Sequence, residues 1–405
     1  MSVRRFLPRV AAGLAFVASA GAWLGFGSQD QTQPAQPPPH KRASTCPAHA
    51  NQISWPDKNP VWTLCWDQPG DTTQETDGSG LRLSHIYYKG KKVLDRANMP
   101  CLNVKYQPPT ACDAKANCCG TALSNHVHTF SYRDWLTQYA PFQANNVLVK
   151  PVVEFKDPDH THTKVAGYAE PTEPVTTLCD VNPNPGKDIG DFYGVAVEKR
   201  SDRLVLTTAL LAGWYRYTQK WILHLDGRIQ PRFSFTAVDN ACTSRPHHHN
   251  AYWRLDFDIG DPDNDLIEEV NEPGGGGAEK VEKLATETSR LNDPEHHRRW
   301  RVTDKTSGLG YEIIPGEDEG VADDWGVADL WALRYKEDKE QDDGGFRSGQ
   351  VDGARAHLNE FLDDEPIDGQ DVVVWYHGGH LHLGGIKAHC DSEMFGPTLK
   401  PVGNW

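Results

Sequence analysis

Apolar and polar residues alternate along positions 245–259, RPHHHNAYWRLDFDI. His247, His249, Ala251, Trp253, Leu255, Phe257 and Ile259 fall on one side of a two-residue period. His248, Asn250, Tyr252, Arg254, Asp256 and Asp258 fall on the other. This is the pattern of a half-buried strand, with His247 and His249 at one end of its apolar face. The same reading resolves most of the chain into short strands. Positions 60–94 (VWTLCW, LRLSHIYY, KKVL) predict a meander broken by the turn-rich 67–80, and 146–155 a strand pair followed by a His-rich turn at 157–163. Positions 204–225 predict one long strand region, Asp226-Gly227 a hairpin turn, and 228–238 the return strand. After a glycine run, 272–294 reads as ending in a short charged helix. Strands resume over 298–315 and 328–335, a short helix over 354–362, and a last strand over 370–383. No internal repeat is visible, and no boundary divides 50–405.

Composition sharpens this picture. The chain has 405 residues with 36 Gly, 28 Pro and 13 Trp, and few long helical patterns, so the fold class expected is all-β. A formal net charge of −15 argues against a nucleic-acid surface. Positions 1–28 have the basic start, apolar middle and Ala18-Ser19-Ala20 site of an export signal or N-terminal anchor. Positions 29–45 read as a Pro/Gln-rich linker, and 46–405 as the globular domain. No later stretch resembles a membrane span, so secretion to the periplasm or exterior is expected. Nine cysteines in an exported chain suggest disulfides, with at least one thiol left over.

The chemistry starts from the histidines. Two imidazoles two residues apart on one strand face aim two neutral nitrogens at a common point, which suits copper, zinc or iron. Alone, such a run is more often a surface feature than a ligand set. The last strand, DVVVWYHGGHLHL, answers it with His380 and His382, either of which would complete a three-His site. Three protein ligands leave a position open for water or substrate, the mark of a catalytic rather than a structural centre.

HHHNAYWRLDFDI resembles the copper-ligand strand of the copper amine oxidases, H-Q-H-(L/I)-F-x-x-R-(L/F)-D, with Arg254, Leu255 and Asp256 in place. Positions 373–383 resemble that family's closing motif, in which a histidine follows the tryptophan by seven positions. Trp375 then points to His382 as the third copper ligand beside His247 and His249. The segments RRWRVTDKTSGLGYEIIPG, DLWALRYKEDKEQ and GPTLKPVGNW are similar to further family segments in the same order. The family's cofactor, topaquinone, is made from a tyrosine in N-Y-(D/E)-Y. RLVLTTALLAGWYRYTQKWILHLDG resembles its surroundings and places Tyr215 on the cofactor position, with Trp214 and Arg216 replacing the usual neighbours. The resemblance assigns the catalytic base to Asp134, ten residues before Ala144-Asn145, although the family's G-E-Y does not follow it. It assigns to Tyr106, in NVKYQPP, the tyrosine that hydrogen-bonds the quinone oxygen. Of a common family disulfide, Cys179 fits one member and Pro151 stands where the other would be.

The resemblance covers roughly 58–405 and implies a large antiparallel β-sandwich of the copper amine oxidase catalytic type, with few short helices. It implies oxidation of a primary amine by O2 to aldehyde, ammonia and hydrogen peroxide, with copper and topaquinone as cofactors, in a homodimer. No nucleic acid and no membrane beyond the N-terminal anchor enter. Two other readings compete with it. One is a secreted copper-binding relative without oxidase activity, favoured by Trp214 and Arg216. The other is a zinc hydrolase on the same histidines, disfavoured because no H-E-x-x-H is present.

Overall fold

Twenty strands arranged in two antiparallel sheets account for nearly all regular structure in the computed structural model, which describes residues 45–47, 50–67, 81–106, 128–133, 151–157, 160–166, 195–212, 215–237, 246–273, 277–336, 358–383 and 394–405. In chain order they are β1 (Asn51–Trp55), β2 (Trp62–Asp67), β3 (Arg82–Tyr88), β4 (Lys91–Tyr106), β5 (His128–Arg133), β6 (Pro151–Asp157), β7 (His160–Ala166), β8 (Val195–Lys199), β9 (Arg203–Ala212) and β10 (Tyr215–His224). There follow β11 (Ile229–Ala237), β12 (His247–Phe257), β13 (Asp265–Asn271), β14 (Lys280–Leu284), β15 (Thr288–Arg290), β16 (Arg299–Asp304), β17 (Gly310–Ile314), β18 (Leu330–Arg334), β19 (Val372–His382) and β20 (Thr398–Val402). Among the described residues the only helical pieces are short 3-10 turns such as Leu358–Phe361.

One sheet runs β1-β2-β3-β4-β12-β19-β18-β15 with β5 also on β4. The other runs β14-β13-β16-β17-β20-β11-β10-β9-β8-β7-β6. A single apolar core lies between them. It joins Leu102, Ala251, Trp253, Leu255 and Tyr376 of the first sheet to Leu206, Trp221, Phe235, Trp300 and Val302 of the second. This is the sandwich expected when alternating faces of two sheets interdigitate. Each fully buried Leu or Phe in it contributes roughly 1.5–3 kcal/mol.

The interior position of β12 overturns one expectation. Its polar side is as buried as its apolar side: Asn250, Tyr252 and Arg254 are all closed off from solvent. A second cluster, Tyr252, Trp331, Leu333, Leu358, Val373 and Trp375, covers the outer face of this part of the sheet. Other expectations also shift. The charged segment 280–284 is the strand β14 and not a helix, because its residues complete a ladder on β13, pairing Lys283 with Glu268 and Val281 with Val270. The region read as one strand over 204–225 is the antiparallel pair β9 and β10, joined by two residues that include Gly213. The histidine-rich stretch read as a turn supplies most of β7, which pairs with β6.

The hairpin at Asp226-Gly227 forms as expected, and its sequence is dictated by packing. Gly227 has φ +91°, and a Cβ there would meet the Tyr88 ring at 2.7 Å. Three buried donors hold the turn from the first sheet and from β17. Trp62 Nε1 donates to the His224 carbonyl (2.7 Å), Tyr88 to that of Leu225 (3.1 Å) and Tyr311 to that of Gly227 (3.0 Å).

A disulfide joins Cys46 to Cys65 of β2. The export signal, most of the linker, Cys179 and the cysteines at 112, 118 and 119 lie outside the described residues.

Candidate metal centre

The ladder between β12 and β19 decides which histidines meet. His247 pairs with His382 and His249 with His380, while on the other side of β12 His247 pairs with Tyr106 and His249 with Val104. Paired residues share a sheet face, so the four imidazoles stand in two adjacent rungs on the core side. The ring of His247 lies 4.7 Å from that of His249 and 4.8 Å from that of His382, centroid to centroid. His380 instead lies parallel to Phe395, 5.6 Å away at 14°. The geometry therefore groups His247, His249 and His382 and turns His380 aside onto an aromatic ring.

A side chain from the opposite sheet closes the group. Phe235 of β11 stacks on His249 at 3.6 Å and 23°, and meets His382 edge-on at 5.6 Å. It also stands 6.3 Å from His247 and 5.8 Å from His380. Sequence reading missed both Phe235 and Phe395. Phe235 follows Phe233 at strand spacing in the return strand, but nothing in the pattern says which sheet it faces.

Burial and like neighbours set the charge of the site. His249 is pushed well below the ordinary imidazole value, first by burial and then by His247, His382, His380 and His248. A neutral ring keeps the lone pair that a metal needs. Among the described residues, no group of three or more His, Cys, Asp or Glu side chains is arranged to hold a metal ion. The chemistry of the donor set nevertheless fits a borderline ion such as copper: three neighbouring imidazoles, one of them held neutral.

The remaining expected site residues are placed unequally. Tyr106 ends β4 in the same rung as His247 and His382. Tyr215 opens β10, paired with Ala212 and Ala237, one two-residue step beyond the Tyr217–Phe235 pair. The ladder thus gives position 215 the parity of Phe235. Asp134 lies outside the described residues, directly after β5, whose Arg133 pairs with Cys101.

Further along the same face of β19, Tyr376 donates a very short hydrogen bond to Glu319 Oε2, which also accepts from the Gly316 N–H at 2.9 Å. The carboxyl occupies the space left by Gly378, where a Cβ would stand 2.7 Å from Oε1. Burial raises the Glu319 carboxyl above its ordinary value, against the hydrogen bonds that lower it.

The other end of the β12–β19 pair gathers carboxylates. Asp265 is fully buried, and neither of its side-chain oxygens has a hydrogen-bond partner among the described residues. Burial first, then Asp371, Asp258, Asp256 and Asp304, lift it well above the ordinary carboxyl value. Lys92 Nζ lies 2.5 Å from both Asp258 Oδ2 and Asp95 Oδ1. Burial works to lower its ammonium, and the two carboxylates outweigh that and raise it.

Comparison with known proteins points one way. Residues 232–387 match the family model "Copper amine oxidase, enzyme domain". The chain is 27% identical over 266 residues to "Histamine oxidase" of Arthrobacter globiformis, covering 54% of this chain and 38% of that protein. It is 22% identical over 265 residues to "Primary amine oxidase, lung isozyme" of Bos taurus, covering 53% and 33%. It therefore spans well under half the length of these relatives. Among solved structures, a copper-containing benzylamine oxidase from Hansenula polymorpha superposes with TM-score 0.57 at 14% identity, over 92% of this chain and 63% of that one. The Aspergillus nidulans amine oxidase superposes with TM-score 0.54 at 16% identity, over 95% and 55%. At these identities the superpositions establish the fold.

Proposed function

Because the chain belongs to the copper amine oxidase family, we propose that it is a copper-dependent primary amine oxidase with a quinone made from its own Tyr215. The observation that carries this reading is the packing of His247, His249 and His382 side by side, with His249 held neutral. Copper and the quinone supply the two-electron chemistry that takes a primary amine and O2 to aldehyde, ammonia and hydrogen peroxide. The protein's part is assigned as follows. His247, His249 and His382 hold the ion, and Phe235 keeps water from their core side. Tyr215 furnishes the phenol. Asp134 removes the proton from the amine's α-carbon, work that needs a carboxyl raised by burial. Tyr106, one strand from His247 in the same rung, would donate a hydrogen bond to a quinone oxygen. The unit responsible is 46–405, exported and homodimeric.

A second reading rests on Trp214 and Arg216, which flank Tyr215 where the family has Asn and an acidic residue. It is a copper-binding relative that does not turn over. Aerobic loading of the purified protein with copper separates the two. A visible quinone absorption that a primary amine bleaches supports the oxidase, and copper uptake without colour supports the second reading. Tyr215→Phe is expected to abolish the colour and leave copper bound; colour that survives removes Tyr215 from its role.

A further inference from the structure

The face of β12 and β19 turned away from the imidazoles carries a continuous buried hydrogen-bond chain. His377 is 2% exposed; its Nδ1 lies 3.0 Å from Asp329 Oδ1 and its Nε2 2.9 Å from Asn250 Oδ1. Asn250 Nδ2 donates to Asn103 Oδ1 at 2.7 Å, and Asn103 Nδ2 donates to the Tyr252 hydroxyl at 3.2 Å. That hydroxyl donates onward, at 3.4 Å, to the carbonyls of Trp325 and Gly326. The second oxygen of Asp329 accepts the N–H groups of Asn292 (2.7 Å) and Ala322 (3.0 Å). The side-chain links from Asp329 to Tyr252 are all shielded from water, where an unmade hydrogen bond is costly.

His377 thus bridges two separate parts of the chain, with Nδ1 against the Asp329 carboxylate and Nε2 against the Asn250 side-chain amide. The fit is close: a Cβ at Gly326 would stand 2.9 Å from the His377 ring, and one at Gly379 3.2 Å. The chain crosses β4, β12 and β19 through Asn103, Asn250 and His377; Asn103 and Asn250 share the rung next to the one that holds His249 and His380, and His377 pairs with Tyr252. The chain ties these strands to the segment that precedes β18.

We propose that His377, held between Asp329 and Asn250, is a positioning residue that acts through Asn250 to hold β4, β12 and β19 at the spacing that aligns His247, His249 and His382 for copper. This rests on the copper reading above, so the test has one arm that needs no metal. In metal-free protein labelled with 15N-histidine, NMR is expected to show an imidazole N–H that exchanges slowly with solvent, as a buried, hydrogen-bonded ring requires. His377→Gln removes that signal, and Asp329→Asn replaces it as the variant if the first does not fold. Fast exchange at every imidazole overturns the proposal. In the second arm, His377→Gln is expected to weaken copper binding about tenfold and to change the electron paramagnetic resonance spectrum of bound Cu(II). Val302→Ala, in the core of the other sheet, controls for lost stability and leaves that spectrum unchanged. A His377→Gln protein with wild-type copper affinity and spectrum overturns the positioning role. Wild-type protein that takes up no copper sinks the proposed function instead, and the NMR arm then decides alone whether His377 is the buried bracket.

Discussion

The two ends of the β12–β19 pair face the same electrostatic problem and solve it differently. At one end four imidazoles crowd together; at the other, Asp256, Asp258, Asp265 and Asp371 do. Like charges packed out of water cannot all remain ionised. An imidazole resolves this by giving up its proton, as His249 is pushed to do, which exposes a lone pair. Carboxylates resolve it by keeping a proton, as the raised Asp265 does, or by taking in a cation, as Asp258 does with Lys92. The imidazole end thus offers a lone pair, while the acidic end already has an ammonium from its own chain.

Three substitutions probe that contrast. The largest effect is expected from Phe235→Ala, which removes the ring against which the imidazoles pack. It costs about 3–5 kcal/mol in urea unfolding and loosens copper binding, with the acidic end unaffected. A loss below 1 kcal/mol would mean that the imidazole end does not depend on the opposite sheet. Lys92→Met breaks the other end alone, leaving buried Asp258 without its ammonium, and is expected to cost about 3 kcal/mol at pH 7. Copper uptake by this variant stays at the wild-type level, and a parallel loss of copper binding would erase the distinction between the ends. The smallest effect is a gain. Asp265 holds its proton more tightly folded than unfolded, so rising pH costs stability once the unfolded chain begins to ionise, near pH 4. Asp265→Asn is expected to be more stable than the parent at pH 7 and equal to it at pH 3. A constant offset across that range would show that the carboxyl does not titrate as its surroundings require.

Much of this was legible in the chain, and the exceptions share a cause. Alternation marks β12 and the inward direction of His247 and His249, because a two-residue period reports which side chains share a face. It does not report how many neighbours a strand has. Asn250 and Asp256 look like solvent-facing residues, and only the flanking strands β4 and β19 make them buried. His377, Asp329 and Asn103 lie far apart in sequence, so no local pattern could have joined them. The charges of 280–284 resemble an exposed helix, yet the same charges serve a β-strand whose lysines and glutamates pair across to β13. TLKPV is short and contains Pro401, so its own pattern carries no strand signal, and β20 is held by its two neighbours, β17 and β11. The choice between His380 and His382 could not be made from periodicity, since both share a parity; here Phe395 takes one ring and His247 the other.

β18 pairs with β19 only from Val372 to Tyr376, whereas β12 is laddered on both sides along its histidine end. Two of the three imidazoles are therefore mounted on a strand braced from both sides and the third on one braced from a single side. Were an ion held there, His247 and His249 would set its place, and His382 would be the donor with the fewer backbone ties.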